Sequence, residues 1–339
     1  MSTYKSVHLA CRPKGRIEPS NTFQVKNHAT PSTSDLEEGQ ILVRVHYLSV
    51  DPAMRSWLDD KRSYHTPVQI GEVMHGFGIG IVEASRSDRF STSSYVIGPM
   101  GWSEIAQMHQ DQLQPIHLEP WTKVTDWLGI LGFTGMTAYF GMTDVADVKP
   151  GDLVVVTGAA GATGSIAGQI AKMKGARVVG IAGSDDKCRW LVDELGFDEA
   201  LNYKADSFAK DFIQSTKDLI DVFFDNVGGP ILDQALMRAK AHARFVMCGA
   251  VSQHNDDTAY GLKNYLMITR MRINMQGFII FDFKDRFDEA RQFLSDGLKK
   301  GQLRSRESIV EGGLSKAGEA LASLYSGSNT GKLLVKVNE

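Results

Sequence analysis

Apolar positions along this chain change rhythm near residue 125. Before it, short runs alternate apolar and polar residues and are broken by turn formers. Ile41-Leu-Val-Arg-Val-His-Tyr-Leu48 predicts a strand, because period-two alternation puts the apolar side chains on one pleated face. Gly76-Phe-Gly-Ile-Gly-Ile-Val-Glu83 predicts a second, its glycines marking tight bends or bulges. Residues 94–98 and 101–107 continue this β-rich pattern. After residue 125 the apolar runs become continuous and alternate with helical periods. Leu153-Val-Val-Val-Thr157 reads as a buried strand. Residues 165–174 read as a helix with Ile166, Ala167, Ile170 and Ala171 on one side. Strands at 177–182, 199–202, 220–225, 244–249 and 274–281 follow, with helices at 186–195, 207–215 and 231–240 between the earlier of them. Ser184 or Asp185 is placed to cap the helix at 186.

Strand and helix alternating at this spacing predict parallel pairing through right-handed crossovers. The fold class is therefore α/β, with a β-rich domain and a doubly wound parallel-sheet domain. Lys332-Leu-Leu-Val-Lys-Val337 is again a strand and is expected to return to the β-rich part. The domains then run 1–125 with 305–339, and 126–304 as an insertion between them.

Composition narrows the partners. The chain has 339 residues, 42% hydrophobic and 23% charged, with net charge −3. That balance gives no electrostatic case for nucleic acid. No stretch is long and apolar enough for a membrane span, and no signal peptide or lipidation signal stands out. Cys11, Cys188 and Cys248 are too few and too scattered for a disulfide framework or a zinc knuckle. A cytoplasmic location is the default expectation.

The candidate chemistry begins at Gly158-Ala-Ala-Gly161-Ala162-Thr163-Gly164, directly after the first buried strand. Glycines let backbone approach a pyrophosphate, and the helix beginning there offers free N–H groups and a positive dipole end. Gly168 is expected to allow close helix–sheet packing. NAD sites place an acid at the end of the second strand, about 20 residues on, for the ribose 2′-hydroxyl. Here that position holds Gly183, with Lys187 placed to meet a 2′-phosphate. The cofactor read from these residues is NADP(H).

Five segments occur in one order: the glycine turn, Gly183-Ser-Asp-Asp-Lys187, Asn202-Tyr203-Lys204, Asp225-Asn226-Val-Gly-Gly229 and Cys248-Gly-Ala-Val-Ser252. The series resembles the medium-chain dehydrogenase/reductase superfamily, in its zinc-free branch of prostaglandin reductases and plant alkenal double-bond reductases. Val50-Asp-Pro-Ala-Met-Arg55, Gly277-Phe-Ile-Ile280 and Asn329-Thr-Gly-Lys332 resemble that branch too. The resemblance implies a GroES-like catalytic domain beside a Rossmann domain, and a homodimer formed through the edge of the nucleotide-domain sheet. It implies that Lys187 and Tyr203 contact the 2′-phosphate and that Asn226 bonds the cofactor near its nicotinamide half. It places Cys248 and the turn to Ser252 under the nicotinamide ribose, and the main chain of Phe278, Ile279 and Ile280 at the carboxamide. Asn329 would reach across from the catalytic domain, and Pro52 would line the cofactor cleft. Zinc-dependent relatives carry a Cys where Asp51-Pro52 stands here and a Glu beside a His, which His75 lacks. No metal is expected.

Reduction of a C=C bond conjugated to a carbonyl is the activity the resemblance implies. Charge then develops on the carbonyl oxygen, and a hydrogen-bond donor must meet it. Where the family carries a tyrosine, this chain has His254. His254, Tyr260 and a cofactor ribose hydroxyl are the three candidate donors. Ala53 stands where plant relatives often carry a bulky tyrosine facing substrate, and Tyr64 is a further candidate for the substrate pocket. Alternatives are an NADPH quinone reductase, a dehydrogenase of lipid secondary alcohols, and a non-catalytic NADPH-binding protein.

Overall fold

The computed structural model describes residues 2–255 and 258–338. It divides into two compact units. The first comprises Met1–Leu128, Glu307–Asn329 and Leu333–Glu339, and the second Gly129–Arg306 with Thr330–Lys332. Among the described residues no helix is long and apolar enough to cross a membrane.

In the first unit, β1 (Thr3–Leu9) and β2 (Phe23–Ala29) form an antiparallel pair. A second, larger sheet is built on β3 (Gln40–Val50) and β4 (Gly78–Ser85), with β5 (Tyr95–Gly98), β6 (Ile105–His109) and β7 (Gln114–Pro115). Alternation along β3 divides its side chains between two cores. Ile41, Val43 and Val45 enter the main one, while Leu42 joins Leu36, Ala84 and Ile105 in a small one. The glycines of β4 do mark irregularity. The β3–β4 register shifts between Val45 and Tyr47, opposite Gly80 and Ile79. A Cβ on Gly80 would lie 2.4 Å from the Arg44 carbonyl oxygen, so only glycine lets the strands approach here.

The second unit holds a six-stranded sheet. Its members are β8 (Leu153–Thr157), β9 (Arg177–Ala182), β10 (Glu199–Asn202), β11 (Ile220–Asp225), β12 (Ala239–Met247) and β13 (Asn274–Gly277). All pairings are parallel and the spatial order is β10-β9-β8-β11-β12-β13. This is the doubly wound order 3-2-1-4-5-6, whose direction reverses between β8 and β11. Every residue of β8 is buried, which is why the sequence there is continuously apolar rather than alternating. Each buried Leu or Val there contributes about 1.5–3 kcal/mol. Helix Ala162–Met173 covers the sheet with Ile166, Ala167, Ile170 and Ala171, all buried.

Chain return supplies β14 (Glu307–Val310) and β15 (Lys332–Lys336). From Leu333 on, β15 pairs antiparallel with β3 in the first unit.

Three local expectations need correction. The strand at 274–281 stops at Gly277, and Ile280–Arg286 forms a 3-10 helix. The Asp282 carboxylate accepts from the Ile279 amide at 3.0 Å and caps that turn, ending the ladder. The helix at 231–240 runs Gly229–Met237, since Ala239 and Lys240 already belong to β12. Gly168 faces the Phe197 ring rather than the sheet, with an added Cβ only 2.0 Å from Phe197 Cζ. Helices Phe133–Phe140, Phe287–Lys299 and Ala317–Leu324 are further elements that the pattern did not resolve.

Candidate active site

In a doubly wound sheet, ligands bind beyond the carboxyl ends of the strands at the reversal point. Here that point lies between β8 and β11, and the segments that leave these strands are the glycine turn and Asn226-Val-Gly-Gly229. Gly158 turns the chain with φ +56°, and Gly161 precedes the first residue of helix Ala162–Met173. The turn is held by Gly161 N–H to Gly158 O at 2.9 Å and Ala159 N–H to Ile181 O at 3.0 Å. Gly331 N–H donates to Ala160 O at 2.8 Å. A Cβ on Gly164 would lie 2.4 Å from the Gly158 carbonyl oxygen and 2.9 Å from Ala159 Cα. Ala162, Thr163 and Gly164 thus form the first helical turn, whose N–H groups lack intrahelical partners.

At the end of β9, Ser184 caps the next helix, its hydroxyl accepting from Lys187 N–H at 3.4 Å. Tyr203 lies over Gly183: a Cβ there would be 3.0 Å from Tyr203 Cε1 and 3.3 Å from its hydroxyl. Lys204 Nζ lies 5.7 Å from the centre of the Tyr203 ring. Lys187 is half-buried, and burial followed by repulsion from Lys204 lowers its pKa. The acids nearby have partners of their own. Asp185 accepts from Asn202 Nδ2 at 2.8 Å, and Asp186 pairs with Arg189. Gly183, Lys187 and Tyr203 therefore meet, joined by Lys204, which sequence reasoning had given no role. With Lys187 and Lys204 beside the Tyr203 ring, this cationic cradle fits a ribose 2′-phosphate.

A second set gathers after β11. The fully buried Asp225 carboxylate accepts from Thr157 Oγ1 at 2.7 Å, Val227 N–H at 2.9 Å and Gly228 N–H at 3.0 Å. Asn226 donates from its backbone N–H to Thr157 Oγ1 at 2.8 Å and from its side chain Nδ2 to Thr157 O at 2.7 Å. The amide is thus oriented with its nitrogen anchored. The Asp225 carbonyl accepts from Cys248 and Gly249 N–H, each at 2.9 Å. Ser252 N–H and hydroxyl both reach Val227 O, at 3.1 and 2.7 Å. Burial and the Asp225 charge push the Cys248 thiol up to about 12, so it is a packing group and not a thiolate.

His254 follows the 3-10 turn Val251–Gln253 and is half-buried. Tyr260 donates its N–H to Gln253 Oε1 at 2.6 Å, and its hydroxyl lies 3.4 Å from Asp233 Oδ2. Asp233 also accepts from Lys263 and Asn264 N–H at 2.9 and 2.8 Å. At the end of β13, Phe278 and Ile280 are buried, and the Ile279 amide is the one held by Asp282.

The remaining candidates belong to the first unit. Pro52 O accepts from the Tyr325 hydroxyl at 2.7 Å, and Ala53 is the N-cap of the short helix Met54–Trp57. Tyr64 is exposed and Asn329 half-buried. Within this unit a pocket of about 590 Å³ is walled by Trp57, His65, His75, Met100 and Met108, among others. Trp57 and His65 stack at 4.2 Å, and burial lowers the His75 pKa. Among the described residues no group of three or more His, Cys, Asp or Glu side chains gathers to hold a metal ion.

Residues 5–116 match the family described as the N-terminal domain of oxidoreductase, and residues 162–296 the one described as zinc-binding dehydrogenase. The chain is 36% identical over 337 residues to an NADPH-dependent curcumin reductase of Escherichia coli, covering 97% of this chain and 95% of the relative. It is 36% identical over 335 residues to a 2-alkenal reductase (NADP(+)-dependent) of Nicotiana tabacum, covering 93% and 96%. The crystal structure of CurA in complex with NADPH from Vibrio vulnificus superposes with a TM-score of 0.92 at 36% identity, covering 99% of both chains. With likeness of this extent, the chain belongs to the zinc-independent medium-chain dehydrogenase/reductase family of alkenal, curcumin and prostaglandin reductases, and is an NADP(H)-dependent oxidoreductase.

Proposed function

We propose that this enzyme reduces the C=C bond of α,β-unsaturated aldehydes and ketones with NADPH. The observation that carries the reading is the near full-length likeness to a 2-alkenal reductase. NADPH, when bound, supplies the hydride that adds to the β-carbon of the acceptor. The chain's part is to hold and orient. Gly161, Ala162, Thr163 and Gly164 take the pyrophosphate, and Gly183, Lys187 and Tyr203 take the 2′-phosphate. Asn226, Cys248, Ser252 and the main chain of Phe278 and Ile280 take the nicotinamide half, with Pro52 and Asn329, while the Ile279 N–H is already bonded to Asp282. Ala53 and Tyr64 select the acceptor.

Negative charge moves onto the carbonyl oxygen of the acceptor, and a fixed donor stabilises it. We assign that donor to His254 ahead of Tyr260, because His254 stands where the family carries its tyrosine. An imidazole N–H donates to the enolate oxygen near neutral pH, and a proton taken from solvent at the α-carbon completes the reduction. His254→Ala is expected to lower kcat about a hundredfold, with the KM for NADPH little changed, and Tyr260→Phe to stay within about threefold. Steady-state kinetics check both. Unchanged turnover in the two variants would remove the side-chain donor.

The activity itself is tested by NADPH oxidation against a panel of enals, enones and quinones. Turnover is expected with enals and enones. Consumption with quinones alone would replace the reading by a quinone reductase, and tight NADPH binding without turnover would make the chain a binding protein. The same proposal includes a cytoplasmic homodimer joined through an edge of the parallel sheet, whose order β10 and β13 end.

A further inference from the structure

We propose that Thr157 and Asp225 form a buried lock that positions Asn226 and the 248–252 turn for the nicotinamide half of NADP(H). The inference rests on the placement of that half at Asn226 and adds two positioning residues that contact no ligand themselves.

Three chain segments meet at this pair. Thr157 is the last residue of β8 and leads into the glycine turn. Asp225 is the last residue of β11 and leads into Asn226. Cys248 follows β12 and leads toward Ser252. Both residues of the lock are fully buried, so neither is kept there by contact with solvent.

The hydroxyl of Thr157 works in two directions. Its proton goes to Asp225 Oδ1 at 2.7 Å, and its oxygen accepts the Asn226 N–H at 2.8 Å. The Thr157 carbonyl then takes the Asn226 Nδ2 at 2.7 Å. With backbone and side chain both tied to one residue, Asn226 has a fixed orientation, and its Oδ1 is the group left for a ligand to meet. The Asp225 carboxylate receives the hydroxyl and the N–H groups of Val227 and Gly228, and so sets the turn at Gly228 with φ +71°. Its carbonyl fixes Cys248 and Gly249. A carboxylate fully removed from water needs such a set of donors. Burial still raises its pKa against the hydrogen bonds that lower it. Pinning both turns before a ligand arrives reduces the ordering cost of binding.

The lock acts on one half of the cofactor, which gives a readout that loss of structure would not produce. Thr157→Val keeps the shape and removes the hydroxyl. It is expected to raise the Kd of NADPH about tenfold while leaving 2′,5′-ADP, which lacks the nicotinamide half, within about twofold. In an Asn226→Ala background the same change is expected to cost less than about twofold, because the side chain it orients is gone. Thr157→Ser returns the hydroxyl and is expected to bind NADPH within about threefold of the unaltered protein. Fluorescence titration of the full chain with both ligands reads all of this, and Asp225→Asn supplies the same comparison should Thr157→Val not fold. Equal weakening of both ligands, or no weakening of NADPH, overturns the lock. If Asn226→Ala alone leaves NADPH affinity unchanged, the placement at Asn226 fails instead, and the lock falls with it.

Discussion

Lys187→Glu is expected to lower kcat/KM for NADPH about a thousandfold, equivalent to about 4 kcal/mol, and to leave NADH within about fivefold. Two effects add. Removing the ammonium loses a charge-assisted hydrogen bond to the 2′-phosphate, about 1.5–3 kcal/mol. Introducing a carboxylate sets like charge against a dianion at a half-buried position, where screening is incomplete. The site is organised around positive charge. Lys187 and Lys204 lie close enough that Lys204 helps lower the Lys187 pKa, and a phosphate at the cradle offsets that repulsion. The ribose of NADH carries a hydroxyl there and has no charge to be repelled. Steady-state kinetics with the two cofactors give the answer. A parallel decline with both would mean that Lys187 serves the fold of its helix and not the choice of cofactor.

The second large effect is expected at the glycine turn. Gly164→Ala should weaken NADPH binding about a hundredfold, because the new Cβ would stand 2.4 Å from the Gly158 carbonyl oxygen. No side-chain rotation relieves that contact, since the backbone fixes the Cβ and its partner is a main-chain oxygen. The turn must open, and displacements of about 1 Å at a binding group cost about a hundredfold. Overpacking also destabilises the protein by about 1–3 kcal/mol. Titration with NADPH and thermal unfolding separate the two consequences. Normal NADPH affinity in a folded Gly164→Ala protein would show that the first helical turn does not contact the cofactor.

Much of the nucleotide unit was legible because its central strands β8, β9 and β11 are almost wholly buried. Continuous apolar runs at β8, β9 and β11 leave little ambiguity, and four strands, 153–157, 177–182, 199–202 and 220–225, have the bounds that the pattern gives. Ser184 was legible as a cap because its side chain solves a local problem, the free N–H groups of the next helix. The end of β13 was not legible. Phe278, Ile279 and Ile280 are apolar enough to continue a strand, and only the Asp282 side chain, folding back to Ile279, stops it. Lys204 stood in a motif without a role because its effect on Lys187 needs the 182–187 and 202–204 segments side by side, which β9–β10 pairing provides.

The sequence by itself determined the α/β class, the glycine turn that follows β8 and the preference for NADP(H). Each depends on residues near in the chain, through hydrophobic period, glycine spacing, or a missing acid at one strand end. The tertiary structure decided how the separated motifs act together. Thr157 and Asp225 are 68 positions apart, and nothing local in either segment marks them as partners. Parallel pairing of β8 with β11 brings their ends together, and burial then requires the threonine hydroxyl and the carboxylate to satisfy each other.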